Sequence, residues 1–220
     1  MFKKFLKIGQ IVLGLLFNNK VRSGPFQGMS TSKNYFGSSY LPKVLGTYEI
    51  EITPVLYTEF VKNEVFIDIG CAGGYYMQLA DQVSPDILLH GFDINEKALG
   101  FVKHLLPNAR LENKSFDIEC AIEVFKFYEG KSKLILMDIE GFEWPLLIDF
   151  IRLAKNYSET TIVVELHNHD KRAFKIPEEI LENSSILDYR FGNKVPFFKL
   201  MTENEFRASS TQYLVWRSTE

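Results

Sequence analysis

Several acids and one histidine stand at the ends of apolar runs, where a charge needs a reason to be buried. Asp138 and Glu140 close the run Lys133-Leu134-Ile135-Leu136-Met137, and Glu165 and His167 close Thr160-Thr161-Ile162-Val163-Val164. Such groups are costly in an apolar setting unless they are paired, protonated or bound to a metal. Side chains two residues apart on a strand share a side, so two neighbouring strands of this design bring four polar groups to one rim. The cost of burying them is the reason to suspect function at that rim. The same four side chains, hard carboxylates with one imidazole, also suit magnesium or manganese. The alternative for Glu140 and Glu165 is that each holds a loop by accepting backbone N–H groups.

A second constellation precedes it. Val65-Phe66-Ile67-Asp68-Ile69 runs into Gly70-Cys71-Ala72-Gly73-Gly74 and then into Tyr75-Tyr76, a strand, a glycine-rich turn and a helix start. Such turns let backbone approach a ligand closely, and nicotinamide, flavin and S-adenosylmethionine enzymes all use them. Asp68 discriminates among these. A carboxylate beside the turn repels a diphosphate, whereas S-adenosylmethionine has no phosphate and carries an ammonium and a sulfonium. The alternative is that Asp68 caps the turn through backbone N–H groups. Asp93 closes the next apolar run, Ile87 to Phe92, at the spacing of an acid that accepts from ribose hydroxyls; it or Asn95 is also placed to cap the following helix. Further on, Phe116 is placed to stack on an adenine ring and Asp117, or a backbone amide, to hydrogen-bond it.

The elements that position these groups follow from pattern. Strands are expected at Val65–Ile69, Ile87–Phe92, Ala109–Asn113, Lys133–Gly141, Thr160–His167, Ile186–Phe191 and Gln212–Trp216, with helices over about 54–61 and 96–106, one carrying Tyr76, Leu79, Ala80 and Val83 inward and ending before Pro85, and one from Trp144 through Ile151. Residues 118–128 read as a short helix or an irregular connection, and Pro177 leads a further helix. The near-continuous apolar runs are those of parallel strands buried on both faces, and open α/β sheets bind ligands beyond the carboxyl ends of their strands.

The chain has 220 residues, 46% of them hydrophobic, enough for one α/β domain and an extension. A net charge of −3 gives no general attraction to nucleic acid. Two cysteines, Cys71 and Cys120, make neither a disulfide framework nor a zinc spacing, and a reducing cytoplasmic location is the expectation. Residues 1–22 combine Lys3, Lys4 and Lys7 with an apolar run from Ile8 to Phe17. The run is too short to span a bilayer and is read as a basic amphipathic helix. It either lies peripherally at the inner membrane surface or packs on protein. Residues 23–60 read as a loop and helical lead-in, and 61–220 as the catalytic domain.

The chain resembles the class I S-adenosylmethionine-dependent methyltransferases, and within them the FkbM-type family. Phe66 to Tyr76 is similar to that family's D-x-G-x-x-x-G-Y-Y run, Met137-Asp138-Ile139-Glu140-Gly141-Phe142-Glu143 to its D-x-E-G-x-E signature, and Val164-Glu165-Leu166-His167 to its E-x-H strand end. The resemblance implies a doubly wound, Rossmann-like, mostly parallel seven-stranded sheet with an antiparallel C-terminal edge hairpin. It implies S-adenosylmethionine as cofactor, bound by Asp68, Gly70, Gly74, Tyr75, Asp93, Phe116 and Asp117. It also implies O-methylation of a sugar or other small hydroxylated acceptor, a lipid-linked or surface glycan precursor among them. Asp138, Glu140, Glu165 and His167 form the catalytic group that this activity implies, with His167 or Asp138 as base and Glu140 and Glu165 orienting the acceptor hydroxyls, and the same four are the ligand set if a divalent cation takes part. A hydrolase or nucleotide-sugar transferase on this fold needs a phosphate site, against which Asp68 argues; a non-enzymatic membrane-associated adaptor is the remaining alternative.

Overall fold

The computed structural model describes residue 18 and residues 20–29, 40–49, 52–139, 143–167, 184–188, 197–198 and 211–218. Its helices are α1 (Tyr40–Leu45), α2 (Thr53–Lys62), α3 (Tyr75–Val83), α4 (Glu96–Leu105), α5 (Ile118–Phe127) and α6 (Glu143–Ala154). Its strands are β1 (Val65–Ile69), β2 (Leu88–Phe92), β3 (Arg110–Glu112), β4 (Lys133–Met137), β5 (Thr160–His167), β6 (Ser184–Asp188), β7 (Phe197–Phe198) and β8 (Thr211–Arg217). The amphipathic extension expected over residues 1–22 lies almost wholly outside the described residues, as do Glu140 and the Pro177-led helix. No helix among the described residues is long and apolar enough to cross a membrane.

The strands form one sheet in the order β3-β2-β1-β4-β5-β8-β6-β7. The pairs among β1 to β5 are parallel and the β5–β8, β8–β6 and β6–β7 pairs antiparallel. The doubly wound, mostly parallel expectation holds in its coarse form. The count differs: among the described residues the sheet has eight strands rather than seven, because the two-residue β7 pairs with Leu187 and Asp188 and extends the edge beyond a simple hairpin. Two residues carry too little pattern to register as a strand in sequence.

Alternation explains the continuous apolar runs. Val65, Ile67 and Ile69 face a core shared with α5 and α6, whereas Phe66, Leu134, Leu136 and Val163 face a core shared with α2, α3 and α4. Both faces are covered, so every position of β1, β4 and β5 is buried. The same parity puts Asp68, Glu165 and His167 on the α3 face. Asp138 lies one residue past β4, and its N–H donates to the Ile69 carbonyl at 2.9 Å. Strand order reverses between β1 and β4, and it is there that an open sheet leaves a crevice. Phe26 closes one flank of the α3 face, stacked on Tyr75 at 4.7 Å between ring centroids.

Candidate active site

The crevice is shaped first by backbone. Gly70 has φ +89°, and a Cβ there would stand 1.8 Å from the Asp138 carbonyl oxygen. The exits of β1 and β4 can touch only because that atom is missing. The N–H groups of Gly70 and Cys71 both donate to the Phe92 carbonyl, at 2.9 and 3.0 Å, which locks the turn to the end of β2. Gly74 opens α3 in the left-handed region and packs against Val102.

Those amides are satisfied without Asp68, so the capping alternative for this acid does not hold. The residue is 3% exposed, and its carboxyl hydrogen-bonds no described residue. Burial, and then the nearby Asp138 and Asp93, push its pKa well above the usual carboxylate range. An acid kept buried without a partner is expensive and marks a place where a ligand supplies the partner.

Of the two candidates for the cap of α4, the structure selects Asn95. Asn95 caps α4, its side chain accepting from Ala98 N at 3.3 Å. Asp93 Oδ2 accepts from Ala72 N and Oδ1 from Asn95 N, both at 2.7 Å. Asp93 thus ties the glycine turn to the exit of β2, and each oxygen keeps a second acceptor position.

These groups line a cavity of about 450 Å³, within the range of small-molecule sites. Asp68, Gly70, Tyr75, Asp93, Phe116 and Asp138 all line it. Ile94 and Phe116 supply an apolar wall, and Phe116 is braced edge-on against Phe92 at 5.0 Å. Asp117 is not brought to the cavity. It is exposed, and its Oδ1 caps α5 by accepting from Cys120 N at 2.8 Å.

Beside Asp138 lies the acid–histidine rim. His167 Nδ1–H donates to Glu143 Oε1 at 3.1 Å, and Ile139 N donates to the same oxygen at 2.9 Å. Trp144 Nε1 donates to the His167 carbonyl at 2.9 Å, so the first turn of α6 holds both ends of the histidine. Its Nε2 then faces Asp138 Oδ1 at 3.8 Å and Glu165 Oε1 at 3.5 Å. The Glu143 hydrogen bond is the largest influence on His167 and pushes its pKa up to about 9. Burial, and then Asp138, raise that of Glu165.

Sequence reasoning missed two residues of this neighbourhood. Glu143, fully buried, was visible only as the last acid of the D-x-E-G-x-E signature. Lys43 comes from α1 and lines the cavity, with no local pattern to announce it. Asp138, Glu143 and His167 each offer one ligand atom within 4.8 Å of the others, the spacing of a divalent-cation site as well as of a hydrogen-bonded triad.

A family model described as a methyltransferase domain matches residues 60–187, more than half of the chain. No curated protein matches it in sequence. Among solved structures, yhhF of Escherichia coli, titled a methyltransferase, is 14% identical with a TM-score of 0.51, over 91% of this chain and 98% of that one. The precorrin-6y C5,15-methyltransferase of Geobacter metallireducens is 16% identical with a TM-score of 0.47, over 83% and 94% of the two chains. The unpartnered acid at the glycine turn fits a donor that carries an ammonium, and with the family match it leads to one assignment: the chain belongs to the methyltransferase-domain family, as a class I enzyme dependent on S-adenosylmethionine.

Proposed function

We propose that the enzyme is an O-methyltransferase of the FkbM type, acting on a sugar or another small hydroxylated molecule. The observation that carries this reading is Asp138 lining the cavity, with a fixed histidine 3.8 Å behind it. In this reading Asp68 receives the ammonium of the cofactor, Asp93 the ribose hydroxyls, and Phe116 and Ile94 flank the base. Gly70 and Gly74 shape the turn that admits it, and Tyr75 forms part of its wall. Bound S-adenosylmethionine supplies an electrophilic methyl group. The acceptor hydroxyl gives up its proton as its oxygen takes that methyl, so the site needs a proton acceptor in line. Asp138 accepts the hydrogen bond from that hydroxyl, and His167 is the final proton acceptor. Glu143 fixes the imidazole with Nε2 outward, and Glu165 helps to orient the acceptor.

Methyl transfer from labelled S-adenosylmethionine to a panel of hydroxylated sugars tests the assignment. Asp138→Asn and His167→Gln are each expected to lower kcat by about 100-fold or more, with cofactor affinity within about threefold of the parent. Full turnover in both variants would overturn the base assignment.

The spacing of Asp138, Glu143 and His167 favours a second reading, in which a magnesium or manganese ion there polarises the acceptor oxygen. Turnover that survives exhaustive chelation supports the proton-relay reading. Turnover lost on chelation and restored by manganese supports the ion.

A further inference from the structure

Lys43 belongs neither to the glycine turn nor to any strand that builds the crevice, yet it lines the same cavity as Asp68. Its Nζ lies 4.6 Å from the ring centroid of Tyr48 and 4.7 Å from that of Tyr75. With the described residues it makes no hydrogen bond or ion pair. Two aromatic faces hold the ammonium in place through cation–π attraction, but its N–H donors have no acceptor. Burial lowers its pKa to about 8, which fits a cation kept from its anion. The Tyr75 hydroxyl, on one of the two rings beneath Lys43, is buried without a partner.

Among the described residues, one cavity therefore holds an acid and an ammonium that attract each other without a direct bond, the ammonium being drawn to Glu49 as well, beside a ring whose hydroxyl is idle. A ligand with one charge leaves part of this set unused. A diphosphate would meet Lys43 but be repelled by Asp68, and a neutral sugar would answer neither. An α-amino acid end, with its ammonium and carboxylate on one carbon, answers both.

We propose that Lys43 is the counter-ion of the methionine carboxylate of S-adenosylmethionine, opposite the ammonium held by Asp68. The proposal rests on the reading of this cavity as the methyl-donor site. The lead-in helix α1 is then part of the cofactor site, and the enzyme distinguishes the complete cofactor from a nucleoside thioether by charge on both sides of one carbon. A carboxylate on the acceptor is the other anion that Lys43 could meet, and titration without acceptor separates the two.

The test is calorimetric titration of the full chain with three ligands. These are S-adenosylmethionine, its decarboxylated analogue, and 5′-methylthioadenosine, which lacks the whole amino acid end. The parent is expected to prefer S-adenosylmethionine over the decarboxylated analogue by about 10- to 100-fold, as for a charge-assisted hydrogen bond. Lys43→Met should erase that preference while leaving the affinities for the other two ligands within about threefold, which also reports that the variant is folded. Lys43→Arg should restore part of it. A Lys43→Met protein that keeps the parental preference, or a parent without one, overturns the role of Lys43 and leaves the donor site standing. A folded parent that binds none of the three overturns the donor site as well.

Discussion

His167 has one nitrogen committed to Glu143 and the other turned toward Asp138 and Glu165, which makes its protonation the property most open to test. Only the neutral ring can take a proton, and the Glu143 hydrogen bond raises its pKa from 6.5 to about 9. With a chelator present, kcat is expected to rise with pH with its midpoint near 9, and Glu143→Gln should move that midpoint toward 6.5. A midpoint already near 6.5 in the parent, unmoved by Glu143→Gln, would contradict the assignment. The same shift has a stability sign. A group whose pKa is raised by folding stabilises below its unfolded value, and that contribution is lost as pH rises through the folded one. Unfolding midpoints should therefore fall between about pH 6.5 and 9 in the parent, and less so in Glu143→Gln. The acids at strand ends were legible in sequence because an apolar run that stops in a carboxylate is a local signal. Glu143 and Lys43 were not, because each acts across the fold on a partner its neighbours do not name.

Among the elements, the turn between β1 and α3 and the cap of α5 separate cofactor chemistry from structure. Gly70→Ala forces a Cβ into the Asp138 carbonyl at a positive φ and is expected to destabilise by about 2 kcal/mol or more, with loss of cofactor binding. Asp117→Ala should remove the cap on Cys120 N at about 1 kcal/mol of stability and leave S-adenosylmethionine affinity unchanged. Weakened cofactor binding in that variant would return Asp117 to the adenine site where sequence had placed it. Sequence offered Asp117 only as a partner for adenine, because the cap it makes on Cys120 N shows only once the start of α5 is fixed. The ends of β5 were read correctly, since Thr160 and His167 bound an unbroken apolar run. β4 was read too long: its ladder stops at Met137, and Asp138 belongs to the exit.

At the scale of the whole molecule, one buried acid ties the lead-in to the antiparallel part of the sheet. Glu59 on α2 accepts from Arg217 on β8 at 2.9 Å, from Thr161 on β5 at 3.2 Å and from Asn63 at 3.3 Å. Glu59→Ala strands the buried Thr161 hydroxyl and releases Arg217 to solvent, and is expected to cost about 1 to 2 kcal/mol, read as a lower denaturant midpoint, without changing the pH profile of turnover. The α/β architecture was legible because parallel strands buried on both faces announce themselves as apolar runs. The extra edge strand was not, because two residues cannot. The central claim is that the crevice over β1 is the methyl-donor site, and its most direct test is calorimetric titration of the purified chain with S-adenosylmethionine and S-adenosylhomocysteine beside Asp68→Ala. The account predicts binding of both ligands at micromolar affinity, weakened at least about tenfold by the substitution. A folded protein that binds neither, or an Asp68→Ala variant that binds as well as the parent, would contradict it.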